Sequence, residues 1–160
     1  MKPLRRLTPK CLFWAWVLGW ATAVYLPSLA IALLSLSPLA AGENLLVDTF
    51  QVADEVSPAA KLAYAILFGG CMFAIRMAGA NRRLFVDALG GAASIMLVAA
   101  FLPEYWSRGF GIGLNGIRFE TVPTTIYVIG GLLSGIVFSL VEARCVLRSQ
   151  KHAGDEAAQD

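Results

Sequence analysis

From Cys11 to Ala41 the chain carries no Asp, Glu, Lys or Arg. At about 1.5 Å per helical residue, that run is longer than the roughly 30 Å hydrocarbon core of a bilayer. Three more apolar stretches follow, Leu62–Ile75, Leu84–Leu102 and Thr124–Val141. A chain that is 58% hydrophobic and 15% charged, with a mean hydropathy of +0.66, is too apolar for a soluble domain. Soluble domains carry about 25% charged residues. The expectation is an all-α integral membrane protein, a bundle of four transmembrane helices spanning about 11–37, 59–79, 83–103 and 122–144.

Punctuation along the chain supports these bounds. Pro27 removes a backbone donor mid-span, so the long first span is expected to kink or tilt and to end near Ser37 and Pro38. Trp14, Trp16 and Trp20 are expected to anchor its cytoplasmic half. The second span needs Lys61 and Arg76 to extend their stems toward the two interfaces. Pro103 closes the third span, Pro123 sits at a tolerated first-turn position of the fourth, and Glu142 marks a return to water. Residues 1–148 form the helical domain. The tail from 149 to 160 is polar and small, and is expected to be disordered and cytoplasmic.

A signal peptide competes for the first segment, with Ala21-Thr22-Ala23 or Leu39-Ala40-Ala41 as the cleavage site. Hydrophobicity runs unbroken past Ala23, so an uncleaved span is the better account.

Of 13 basic residues, Lys2, Arg5, Arg6, Lys10, Arg76, Arg82, Arg83, Arg144, Arg148 and Lys151 fall on one side of the four spans. That side is expected to be the cytoplasm, which puts both termini inside. Richness in Ala, Gly and Arg points to a bacterial inner membrane.

The Gly79-Ala80-Asn81 turn is short enough to make the second and third spans a tight antiparallel hairpin. Arg76 and Asp87 are equidistant from its centre, hence at one depth, and are expected to form an ion pair. Arg83, four residues before Asp87, competes for it. Asp87 is either a proton or cation site or half of a structural clamp. The clamp is favoured, because Asp87 lies at the helix's positive end and at the interface. Equal depth also sets Gly69 and Gly70 opposite Ser94 and Ala93. In the fourth span, Gly130 with Ser134 and Gly131 with Gly135 repeat small residues at a spacing of four. Such faces pack helices within a bundle or dock another copy or another membrane subunit.

Gly111, Gly113 and Gly116 match GxGxxG, but the nucleotide fingerprint needs a strand, a helix and a βαβ unit around it. A short hairpin turning at Asn115-Gly116, with Phe110, Ile112, Leu114, Ile117 and Phe119 on the bundle or the interface, fits better. Tyr105 and Trp106 would hold its root. In the first outer segment, Asp48, Gln51 and Glu55 share one helical face, with Leu46, Phe50 and Ala53 on another. That pattern predicts a short surface helix with an acidic solvent face.

The lone histidine, His152, lies in the tail, which leaves no bis-histidine haem site. Cys11, Cys71 and Cys145 lack CxxC spacing and are expected to be reduced, buried small hydrophobes. With neither a nucleophile–histidine pair nor an intramembrane carboxylate pair, no catalytic constellation is expected, and no cofactor, metal or nucleic acid. The leading expectation is a non-catalytic accessory or scaffolding subunit of a membrane complex. Besides the lipid bilayer, its partner is another membrane protein or itself, docked on the Gly130–Gly135 face. The alternatives are a small homo-oligomeric transporter or channel, and an immunity-type protective protein that meets a toxin through its outer loops.

Overall fold

The computed structural model describes residues 9–34, 44–78, 84–101 and 121–156. These residues form five helices: α1 (Pro9–Leu33), α2 (Leu45–Glu55), α3 (Pro58–Met77), α4 (Leu84–Phe101) and α5 (Thr121–Glu156). Four of them, α1, α3, α4 and the 124–149 part of α5, are long and apolar enough to cross a membrane. Residues 79–83 and 102–120, and with them Arg83, the Gly79-Ala80-Asn81 turn and the glycine-rich outer segment, lie outside the described residues.

Capping explains where two helices begin. The Asn44 side chain accepts from the Leu46 amide at 3.0 Å and starts α2. Ser57 accepts from the Ala60 amide at 3.1 Å, and Pro58 follows at the first helical position of α3. Both arrangements satisfy amides that have no intrahelical partner. α1 passes through Pro27 as one helix and ends at Leu33, short of the expected Ser37. α5 runs on to Glu156, so helix continues well past position 148.

The bundle is held by a small-residue seam. On α1, Cys11, Ala15, Gly19, Ala23, Pro27 and Ile31 recur every fourth residue and all are buried. This ridge meets α5 in the opposite sense: Pro27 lies against Gly130, Gly19 against the Ser134 carbonyl, and Cys11 against Cys145. α5 in turn lies between α1 and α4. A Cβ added to Gly91 would strike the Gly131 carbonyl, and one added to Gly135 would strike the Asp87 carbonyl, so these two backbones are in contact. Only glycine permits that approach.

α3 lies at the edge. Trp16 and Trp20 donate their indole N–H groups to the Ala65 and Lys61 carbonyls, at 2.9 and 3.0 Å. Gly69 makes room for the Trp16 ring, since a Cβ there would lie 2.9 Å from its Nε1. Trp16 and Trp20 therefore join α1 to α3. Phe68, Tyr64, Met72 and Phe138 fill the centre, with Phe68 stacked on Tyr64 and edge-on to Phe138.

α2 departs from expectation in its rotation. Asp48 is 5% exposed and Val52 and Ala53 are buried, whereas Leu46 is 69% and Phe50 58% exposed. The acidic face therefore splits: Asp48 turns inward, while Gln51 and Asp54 stay exposed beside an outward apolar set of Leu46, Val47 and Phe50. Exposed apolar and polar residues on one short helix are the pattern of a helix lying at a lipid interface.

Candidate functional site

Where α3 ends and α4 begins, Arg76 stands in the last turn of one helix and Asp87 in the first turn of the other. Each charge complements the partial charge of its own helix end. Arg76 donates from Nη1 to Asp87 Oδ1 at 2.8 Å and from Nη2 to Oδ2 at 2.7 Å, a bidentate pair. Its Nε and Nη2 also reach Glu142 Oε2 on α5, at 3.0 and 2.8 Å. Side-chain exposure is 5% for Arg76, 0% for Asp87 and 2% for Glu142. The Phe138 ring covers the guanidinium, 5.2 Å from its carbon, and adds a cation–π contact. One cation thus ties three helices through two carboxylates.

This arrangement corrects two expectations. Glu142 does not mark a return to water, and a pair of buried carboxylates does exist, bridged by Arg76. The hydropathy profile could not reveal it, because Glu142 sits where the apolar run ends and a carboxylate there reads as solvated. Its only sequence signal is the helical offset from Phe138, four residues earlier on the same face.

Deeper in the bundle the Tyr64 hydroxyl and Ser134 Oγ lie 2.6 Å apart, and Ser134 also donates to the Gly131 carbonyl at 2.8 Å. Ser94 returns its hydroxyl to the Gly90 carbonyl of its own helix at 2.8 Å. These hydroxyls are buried and satisfied. Toward the opposite end from the ion cluster, a small apolar cleft of about 80 Å³ is bordered by Val24, Ala60, Tyr64, Ile95, Val98 and Tyr127, with Lys61 also lining it. Lys61 is engaged by Asp54 at 3.4 Å.

The small residues sort differently from the equal-depth argument. Gly69 faces Trp16, Gly70 has no atom within 4 Å among the described residues, and Ala93 is exposed. It is Gly90 that meets α3, at Met72, Ile75 and Cys71. Distance from a turn fixes depth but says nothing about rotation about the helix axis. Gly130, Gly131, Ser134 and Gly135 are all buried, spent on α1 and α4 within this chain, and leave no face for a partner. On α3, Gly70, Ala74 and Ala78, spaced by four, face outward.

The cysteines are a further correction: Cys11 and Cys145 form a disulfide, and only Cys71 is free. Sequence separation concealed the pairing, because Cys11 and Cys145 open and close an antiparallel helix pair whose partnership no local signal reveals. Among the described residues no group of three His, Cys, Asp or Glu side chains is placed to hold a metal ion. Comparison of the chain with protein-family models, curated proteins and solved structures gives no match.

Proposed function

We propose that this chain is a non-catalytic accessory or scaffolding subunit of a membrane complex, spanning a bacterial inner membrane four times with both termini in the cytoplasm. In this reading, α3 and α4 are joined by a tight hairpin at the cytoplasmic face. The observation that carries the proposal is the outward Gly70, Ala74 and Ala78 stripe on α3. Of the four candidate spans, α3 has the smallest share of its apolar window buried, 28% against 33–39%. Small residues at four-residue spacing let a second helix approach closely where lipid offers no hydrophobic driving force. The docking surface therefore moves from the α5 glycines to α3, and its occupant is a helix of another membrane protein.

The test is extraction in mild detergent at native expression level, followed by mass spectrometry of what co-purifies. A stoichiometric membrane protein, lost on Gly70→Leu or Ala74→Leu while the bundle still folds, is the expected result. A protein that purifies alone, or an association indifferent to both substitutions, refutes it.

One observation favours a second reading, a small homo-oligomeric transporter or channel. The buried Arg76–Asp87–Glu142 cluster places two ionisable carboxylates where a charge has to be compensated. Ion or solute flux in liposomes holding only this protein would support that reading. For the immunity-type alternative, Asp48 is buried but the Asp54 side chain of the same acidic segment is 88% exposed.

A further inference from the structure

Cys11 and Cys145 are linked across 134 residues of sequence, with their Cα atoms 5.5 Å apart. The bond closes one end of the α1–α5 seam. Cys145 lies three residues beyond Glu142, on the same side of α5, so the disulfide sits one turn from the carboxylate that holds Arg76.

Two features of the surroundings argue against a permanent bridge. Lys10 adjoins Cys11, while Arg144 adjoins Cys145 and Arg148 follows it, and all three cations are exposed. Among the described residues, Lys10, Arg76, Arg144 and Arg148 gather at this end, and by the bias of basic residues it faces the cytoplasm, where thiols are kept reduced. The two sulfurs are also unequal. Cys11 is 3% exposed and Cys145 is half-buried. Thiol–disulfide exchange needs that asymmetry: one sulfur that a small molecule can reach, and a second, sheltered one that resolves the mixed disulfide.

We propose that Cys11 and Cys145 form a reversible redox latch, open in the resting cytoplasm and closed when the thiol pool becomes oxidising. The inference rests on the cytoplasmic orientation proposed above and not on docking at α3. The oxidant is a low-molecular-weight disulfide of the glutathione type. The Cys145 thiolate attacks one of its sulfurs and expels one small thiol. The Cys11 thiolate then attacks the Cys145 sulfur of the mixed disulfide and expels the second. Two electrons pass from the protein to the small disulfide, and the protons given up by the two cysteines leave on the two thiols released. Closure ties the first turns of α1 to α5 and holds the Glu142 turn in place. Opening runs the same steps in reverse.

The test uses the full chain in cells, with a C-terminal reporter of membrane side. Thiols are trapped by acid and counted with a maleimide polymer that retards the protein on a denaturing gel. With three cysteines in the chain, the expected pattern is three labels at rest, one after a disulfide-forming oxidant and three again after dithiothreitol. Cys71→Ala should remove one label from every state, and Cys11→Ser should abolish the intramolecular bridge. A bridge that is closed at rest, or one that no oxidant closes, overturns the latch. The reporter then separates the causes. A C-terminus outside the cytoplasm means that the charge-based orientation failed, whereas a cytoplasmic C-terminus means that only the latch is wrong.

Discussion

Removing Arg76 should damage this protein far more than neutralising either of its carboxylate partners. Arg76 makes four charge-assisted hydrogen bonds, two to Asp87 and two to Glu142, and all three side chains are buried. In Arg76→Met the stem still packs beneath Phe138, but two carboxylates at 0% and 2% exposure lose the cation between them. Breaking one buried pair in this way costs about 3–5 kcal/mol. Two orphaned carboxylates put Arg76→Met at or above the upper end of that range. Asp87→Asn keeps the shape and an amide oxygen facing Nη1, and leaves Arg76 paired with Glu142. It weakens the Nη1 bond and loses the Nη2 bond, where an amide NH2 now meets a donor, at about 1.5–3 kcal/mol per charge-assisted bond, without orphaning a charge. The order of destabilisation should be Arg76→Met above Asp87→Asn, with Arg76→Met/Asp87→Leu/Glu142→Leu recovering much of the loss, since apolar replacement of a whole buried cluster is often neutral. The assay is reversible unfolding in detergent or bicelles, followed by a probe in the core. Equal losses in Arg76→Met and Asp87→Asn, or a triple variant worse than Arg76→Met, would refute the clamp.

Gly135→Ala should destabilise by about 1–3 kcal/mol or more, because its Cβ meets the Asp87 backbone, whereas Gly70→Ala, with no atom of the described residues within 4 Å of its Cβ, should hold or raise the unfolding midpoint. Trp16→Phe and Tyr64→Phe each remove one partner of a long-range hydrogen bond and should cost about 1 kcal/mol apiece. Because Trp16 bonds to Ala65, next to Tyr64, and packs on the same cluster, the double variant should depart from the sum, which the same unfolding assay checks.

What the sequence determined by itself was position along the helix axes. The uncharged runs place four apolar helices, the run from Cys11 through Pro27 among them, and equal distance from the turn places Arg76 and Asp87 at one level. Rotation about those axes was decided only by the tertiary structure. That is why Asp48 faces in and Phe50 out, why Gly70 and Ala93 point away from the seam, and why the α5 glycines are consumed by Pro27, Gly91 and Asp87. In a water-soluble helix, polarity marks the outer face and so reveals rotation. On a helix long and apolar enough to cross a membrane, the side facing lipid is as hydrophobic as the side facing the core, so that contrast disappears. The partnership of α1 with α5, and with it the meeting of Cys11 and Cys145, depends on rotation and on the order of helices around the bundle, and neither is written in the hydropathy of any one segment.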